Sequence, residues 1–114
     1  LVLVRSQQEF DAAMRHCKLP VGAPYLKTQR ADATTHILLN KKGESVCIVA
    51  LGTHVRDHSG VQIASLLVHE AVHIWQEHCA NIGEAHPASE QTAYGIQGIA
   101  QTLMEEYARQ EAKA

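Results

Sequence analysis

The stretch from Ser59 to Ala80 constrains this chain more than any other part of it. Ser59 followed three residues later by Gln62 makes a capping box, the signature of a helix N-terminus. From there the residues sort into two arcs at about 100° per residue. Ile63, Ala64, Leu67, Val68, Ala71, Val72, Ile74 and Trp75 fill one arc, and Gln62, His69, Glu70, His73, Gln76 and Glu77 the other. Asn81 and Gly83 are stop signals, so the pattern predicts one long amphipathic helix to about Ala80.

Inside that helix the order His69-Glu70-Ala71-Val72-His73 is H-E-x-x-H. Residues four apart share a helix face, so His69 and His73 can present imidazole nitrogens to one ion. Glu70 lies one position on, swung aside, where it can reach a metal-bound water without ligating the metal. His is common here, at 8 of 114 residues. Even so, random placement gives only roughly 0.04 such matches in a chain of this composition. A plain amphipathic helix with a solvated polar face has the same arcs, but it does not predict this order of residue types.

At 114 residues the chain is expected to form one domain, 1–114, with a modest core. Hydrophobic content of 46% and charged content of 19% suit a globular protein. A net charge of -2 gives no pull towards nucleic acid or anionic membrane, so neither partner is expected. No apolar run approaches ~20 residues and no signal peptide is visible. Cys17, Cys47 and Cys79 are odd in number and lack C-x-x-C spacing. That disfavours a disulfide framework and a Cys-rich zinc site, and points to reduced thiols in a cytoplasmic protein. Cys79, near the end of the motif helix, stays as a remote ligand candidate.

The rest reads as an α+β chain. Leu1 to Val4 forms a short strand. Ser6 with Glu9 caps a helix from about Gln7 to Cys17, and Pro20, Gly22 and Pro24 punctuate a loop. Thr34–Leu39 and Ser45–Leu51 read as strands of a hairpin turned at Asn40 to Glu44, which makes a small, mostly antiparallel sheet. Gly52 to His58 is a polar loop. Pro87 suits a first helical turn, so a long final helix runs from about Ala88 to Glu111 with Ala93, Ile96, Ala100, Leu103 and Tyr107 as its apolar stripe. His16, His36 and Trp75 attract no functional reading; Trp75 belongs to the apolar arc.

Two histidines do not complete a catalytic zinc site, which uses three protein ligands and leaves a fourth position to water. The downstream candidates are Glu77, Glu84, His86 and Glu90, with Cys79 and the upstream histidines behind them. Glu77 lies one further turn along the same helix, and a straight helix rises ~6 Å per four residues, so three turns converge poorly on one ion. Glu84 and His86 sit in the connecting loop. Glu90 opens the last helix and is the preferred third ligand, provided that helix packs back against the motif helix.

With these residues in view, the chain resembles the zincin metallopeptidases. The likeness is to the gluzincin pattern, in which H-E-x-x-H is followed on a later helix by a ligating Glu. It covers roughly Val46 to Met104. Only His69, Glu70 and His73 match a specific motif; Glu90 matches by position and type, and Tyr94 stands where the family often carries an Asp. The resemblance implies one Zn²⁺ per chain on His69, His73 and Glu90, with Glu70 as general base in the hydrolysis of a peptide or protein substrate. It implies that Val46 to Leu51 is a sheet edge binding extended peptide by strand addition. An oxyanion donor is needed as well; Tyr94, one turn from Glu90, is the first candidate, with His54 and His58 as the others. The competing expectation is a zinc-stabilised binding or assembly module that cuts nothing. Small size favours that reading, and the presence of Glu70 favours the peptidase.

Overall fold

A computed structural model describes residues 1–113. The chain is α+β, with three α-helices and one three-stranded mixed sheet. It divides into two compact units, Leu1–His58 and residues 59 onward.

The first unit holds β1 (Val2–Val4), α1 (Gln7–His16), β2 (Ala33–Leu39) and β3 (Ser45–Leu51). Strand order is β1-β3-β2. β2 pairs antiparallel with β3 along its whole length, from Ala33 opposite Leu51 to Leu39 opposite Ser45. β1 pairs parallel with β3, Val2 opposite Ile48 and Val4 opposite Ala50. β3 is therefore the central strand, not the sheet edge expected for Val46 to Leu51. Its composition explains the position. The run Val46-Cys47-Ile48-Val49-Ala50-Leu51 does not alternate with polar residues, as a strand buried on both faces requires. Val46, Ile48 and Ala50 join Val4, Phe10, Met14 and Leu26 in a core on the α1 side, and Val49 and Leu51 on the other face are equally buried.

Local chemistry fixes the ends of these elements. The Ser6 hydroxyl accepts from Glu9 N at 3.1 Å, while the Glu9 carboxylate reaches back to Arg5 N at 2.8 Å rather than to the cap residue itself. At the β2–β3 turn, buried Asn40 accepts from Lys42 N and Glu44 N and donates to Cys17 O, all at 3.0 Å. Gly43 takes φ +78, the left-handed conformation that a glycine reaches without strain. His36, without a functional reading in the sequence, has a structural role: its Nε2 lies 2.7 Å from Tyr25 O and its ring 4.5 Å from that of Phe10. The stretch expected as a polar loop holds a 3-10 helix, Thr53–Asp57.

The second unit is a helical hairpin of α2 (Gly60–Asn81) and α3 (Ser89–Ala112). The Ser59 capping box forms in full, with Ser59 Oγ accepting from Gln62 N at 3.2 Å and Gln62 Oε1 from Ser59 N at 2.7 Å. Gly83 at φ +74 ends α2, while Glu84 N donates to Cys79 O at 2.8 Å. Ala88 caps α3 without a side-chain bond, which places Pro87 just before the cap rather than in the first turn. Of the stripe expected on α3, Ala100 and Leu103 are buried, Ile96 and Tyr107 half-buried and Ala93 exposed. No helix among the described residues is long and apolar enough to cross a membrane. The cysteines are free thiols, Cys79 buried and Cys17 and Cys47 half-buried.

Candidate metal centre

α2 buries Ile63, Leu67, Glu70, Ala71, Ile74 and Cys79. On the helical wheel this face is turned towards the polar arc by comparison with the apolar arc read from the sequence. Val61 and Val68 are left exposed, at 77% and 38%, and Glu70 moves from the polar margin into the buried stripe between Leu67 and Ile74. Glu70 is thus not a side-swung surface carboxylate. It is 4% exposed, and its Oε2 is buried with no hydrogen-bond partner. His69 and His73 lie together on the same side of this stripe, beyond Glu70, and stay exposed.

The two imidazoles meet edge to face, with ring centroids 4.8 Å apart and planes at 80°. Their Nε2 atoms are 3.2 Å apart. That spacing is a test of fit for an ion. Zinc–nitrogen bonds of ~2.0–2.1 Å at a tetrahedral angle set two ligand nitrogens about 3.3 Å apart. The separation matches that of two ligands on one ion, and without an ion it is also that of a hydrogen bond between the two rings. One ligand atom from each of His69, Glu70 and His73 can be chosen so that all three lie within 4.8 Å of one another. A carboxylate buried without a partner is unfavourable, and a cation beside it is what offsets that cost. The donor set is borderline nitrogen with hard oxygen, which suits Zn²⁺ among the divalent metals without excluding its neighbours.

No further His, Cys, Asp or Glu joins this trio among the described residues. Glu90, the preferred third ligand, is exposed in the first turn of α3 and stands outside it. Glu77, Glu84 and His86 are exposed and outside it as well, and Cys79 is buried outside it. Tyr94, the first oxyanion candidate, is 68% exposed. His54 is engaged elsewhere, its Nε2 2.6 Å from Asp32 Oδ1 in the first unit. Asp32 drew no attention in the sequence, since 22 residues separate it from His54 and no spacing rule joins them. Gly52 makes this pair close-fitting: a Cβ there would come within 2.7 Å of His54 Cε1 and 2.8 Å of Ala31 O. His58, the other candidate, is half-buried.

No protein-family model, curated protein or solved structure matches the chain.

Proposed function

We propose that the chain is a zinc-dependent hydrolase of peptide bonds, with His69 and His73 as ligands and Glu70 as general base. One observation carries the reading: a carboxylate with one buried, unpartnered oxygen lies beside two imidazoles at the spacing of two zinc ligands. A plain solvated helix face has no reason to bury an unpaired Glu. Glu90 is proposed as the third ligand. It opens α3 outside the trio, and with Gly95 set against Trp75 it stands about 10 Å from His73 along the helix axis, so ligation requires the first turns of α3 to shift. Tyr94, one turn further on, comes with it as the hydrogen-bond donor to the developing oxyanion.

When bound, the ion supplies Lewis acidity, polarising a carbonyl and lowering the pKa of a water towards ~7. Glu70 takes the proton of the attacking water and delivers it to the leaving amine as the C–N bond breaks. Its burial keeps that carboxylate away from bulk water, where its proton would otherwise be exchanged. His69 and His73 would hold the ion, and their exposure leaves the site open to a protein-sized substrate. The competing reading, an assembly module, would use Glu70 as a third ligand, as the spacing of the trio allows, and would cut nothing.

The test is zinc content together with cleavage. Protein purified without chelator should carry zinc, and His73→Ala should lose it. Zinc-loaded protein should cleave a peptide library near neutral pH, and Glu70→Gln should keep the metal while losing at least ~10²-fold in rate. Cleavage that survives chelation or Glu70→Gln belongs to a contaminant and removes the peptidase reading. Absence of zinc from the wild type removes the whole assignment.

A further inference from the structure

His69 and His73 use two positions of a tetrahedral ion, and the described residues gather no third nitrogen, sulfur or exposed oxygen beside them. Until Glu90 arrives, two adjacent positions face solvent. The simplest group able to fill both at once, with the same spacing, is a second His69–His73 pair. A two-fold axis through the ion brings one, because an isologous contact presents the same patch from both copies.

The geometry points to a closed resting form in which one Zn²⁺ is held between two copies of this chain by His69 and His73 of each. It rests on the assignment of zinc to this pair. Three features of α2 support a second copy as the occupant. Both imidazoles are exposed, so a second helix can approach them. α2 has no Lys or Arg and Glu70 is buried, while exposed Glu77 lies one turn beyond His73. Two copies crossing antiparallel about the ion therefore meet across Gln62, Ser65, Val68, His69, Val72, His73 and Gln76, with the two Glu77 carboxylates at opposite ends, about 18 Å apart along the helices. Val61 and Val68 are exposed apolar residues on the same helix, both to one side of the histidines, and a crossing helix that reaches that edge of the face would cover them.

The consequence is regulatory. Four imidazoles close the coordination shell, as in structural zinc sites, and leave no position for water. Glu70 of each copy is then beside an ion with no water to deprotonate. Opening the dimer frees two positions per ion, one for Glu90 and one for water. Self-association and Glu90 thus compete for the same ion, and chain concentration sets the balance.

The experiment is a zinc titration of the metal-free chain, followed by sedimentation equilibrium and by zinc content of the recovered species. The expected result is a species of twice the chain mass holding half an equivalent of zinc per chain, which chelator returns to single-chain mass. Glu90→Ala should form the same dimer at the same stoichiometry. His69→Ala and His73→Ala, both at exposed positions, should stay at single-chain mass with or without zinc, with circular dichroism confirming their helices. The chelated wild type provides the same metal-free control without a variant. One zinc per chain at single-chain mass would overturn the bridged dimer and leave the zinc site standing. No zinc at all would overturn both. A dimer indifferent to chelator and to His73→Ala would overturn the bridge, since its interface would then lie elsewhere.

Discussion

The ring of Trp75 on α2 sits against Gly95 on α3, where a Cβ would come within 2.3 Å of Cζ3 and 2.4 Å of Cε3. Gly95 is what allows the two helices of the second unit to approach at this point. Ordinarily Gly→Ala inside a helix stabilises by up to ~1 kcal/mol, because the chain loses less freedom on folding. Here the added methyl meets a rigid indole, and overpacking costs about 1–3 kcal/mol. Gly95→Ala is therefore expected to lower the melting temperature. Gly98→Ala, one turn on with nothing within 4 Å of its Cβ, should raise it. The pair of melting curves is the check, and equal shifts in the same direction would show that the helices do not pack here.

Removing metal should also destabilise the fold. A ligand that binds only the native state adds RT ln(1 + [L]/Kd), about 2.7 kcal/mol at a hundredfold excess over Kd. For this chain the gain also includes relief of the unpartnered Glu70 oxygen. Zinc-loaded protein should melt several degrees above chelated protein, with no such difference in His73→Ala. A melting curve unchanged after verified zinc removal would contradict a site coupled to folding.

Near the end of α3, Arg109 grips Glu106 through both Nε and a terminal nitrogen, and Gln110 Nε2 donates to the same carboxylate at 3.1 Å. The Arg109 hydrogen bond, first, and that of Gln110, second, lower the Glu106 pKa to about 2. A depressed carboxyl contributes stability that is present above the ordinary value near 4.5 and lost as pH falls through about 2. The pair is solvent-exposed, so little stability is at stake, and the titration itself is the readout. Carbon-13 NMR of the Glu106 carboxyl should give a midpoint near 2 in the wild type and one shifted upwards in Arg109→Ala. Equal midpoints would mean the grip is not held in solution.

Much of this fold can be read from local chemistry. Ser59 with Gln62, Asn40 with Gly43, and Gly83 each act within a few residues, so their turns and caps follow from sequence, and β2, β3, α2 and α3 begin and end within a residue or two of expectation. Strand order is a different kind of information. Nothing within Leu1–Val4 says that it pairs parallel with β3 across more than forty residues, and that pairing is what moves β3 from edge to centre. The unbroken apolar run of β3 was the available signal. At the candidate site, the histidine pair was legible because i, i+4 is a local rule. The burial of Glu70 was not, because a wheel gives the order of residues around a helix but not which part of the apolar arc is covered. The expectation for Glu90 is conditional on α3 packing back against α2. It does, but with Gly95 against Trp75 the register sets Glu90 beyond the histidines, and register between helices is not a local property of the sequence.

The placement of Glu70 leads to the sharpest expectation. Its carboxylate is buried between Leu67 and Ile74 on the covered stripe of α2, with Oε2 unpartnered. Such a group costs stability, and replacing it by an apolar side chain of similar volume removes the desolvation penalty and adds apolar burial. Glu70→Leu should therefore melt higher than the wild type when both are chelated, by an amount worth about 1–3 kcal/mol. Under zinc the order should narrow or invert, since the wild-type carboxylate then faces a cation and the leucine does not. On the proposed peptidase reading, Glu70→Leu should also be inactive at any zinc concentration. Differential scanning calorimetry of both proteins, chelated and zinc-loaded, gives the four values required. A chelated Glu70→Leu that melts below the wild type would show that the carboxylate has a stabilising partner, and the case for Glu70 as a poised base would fail.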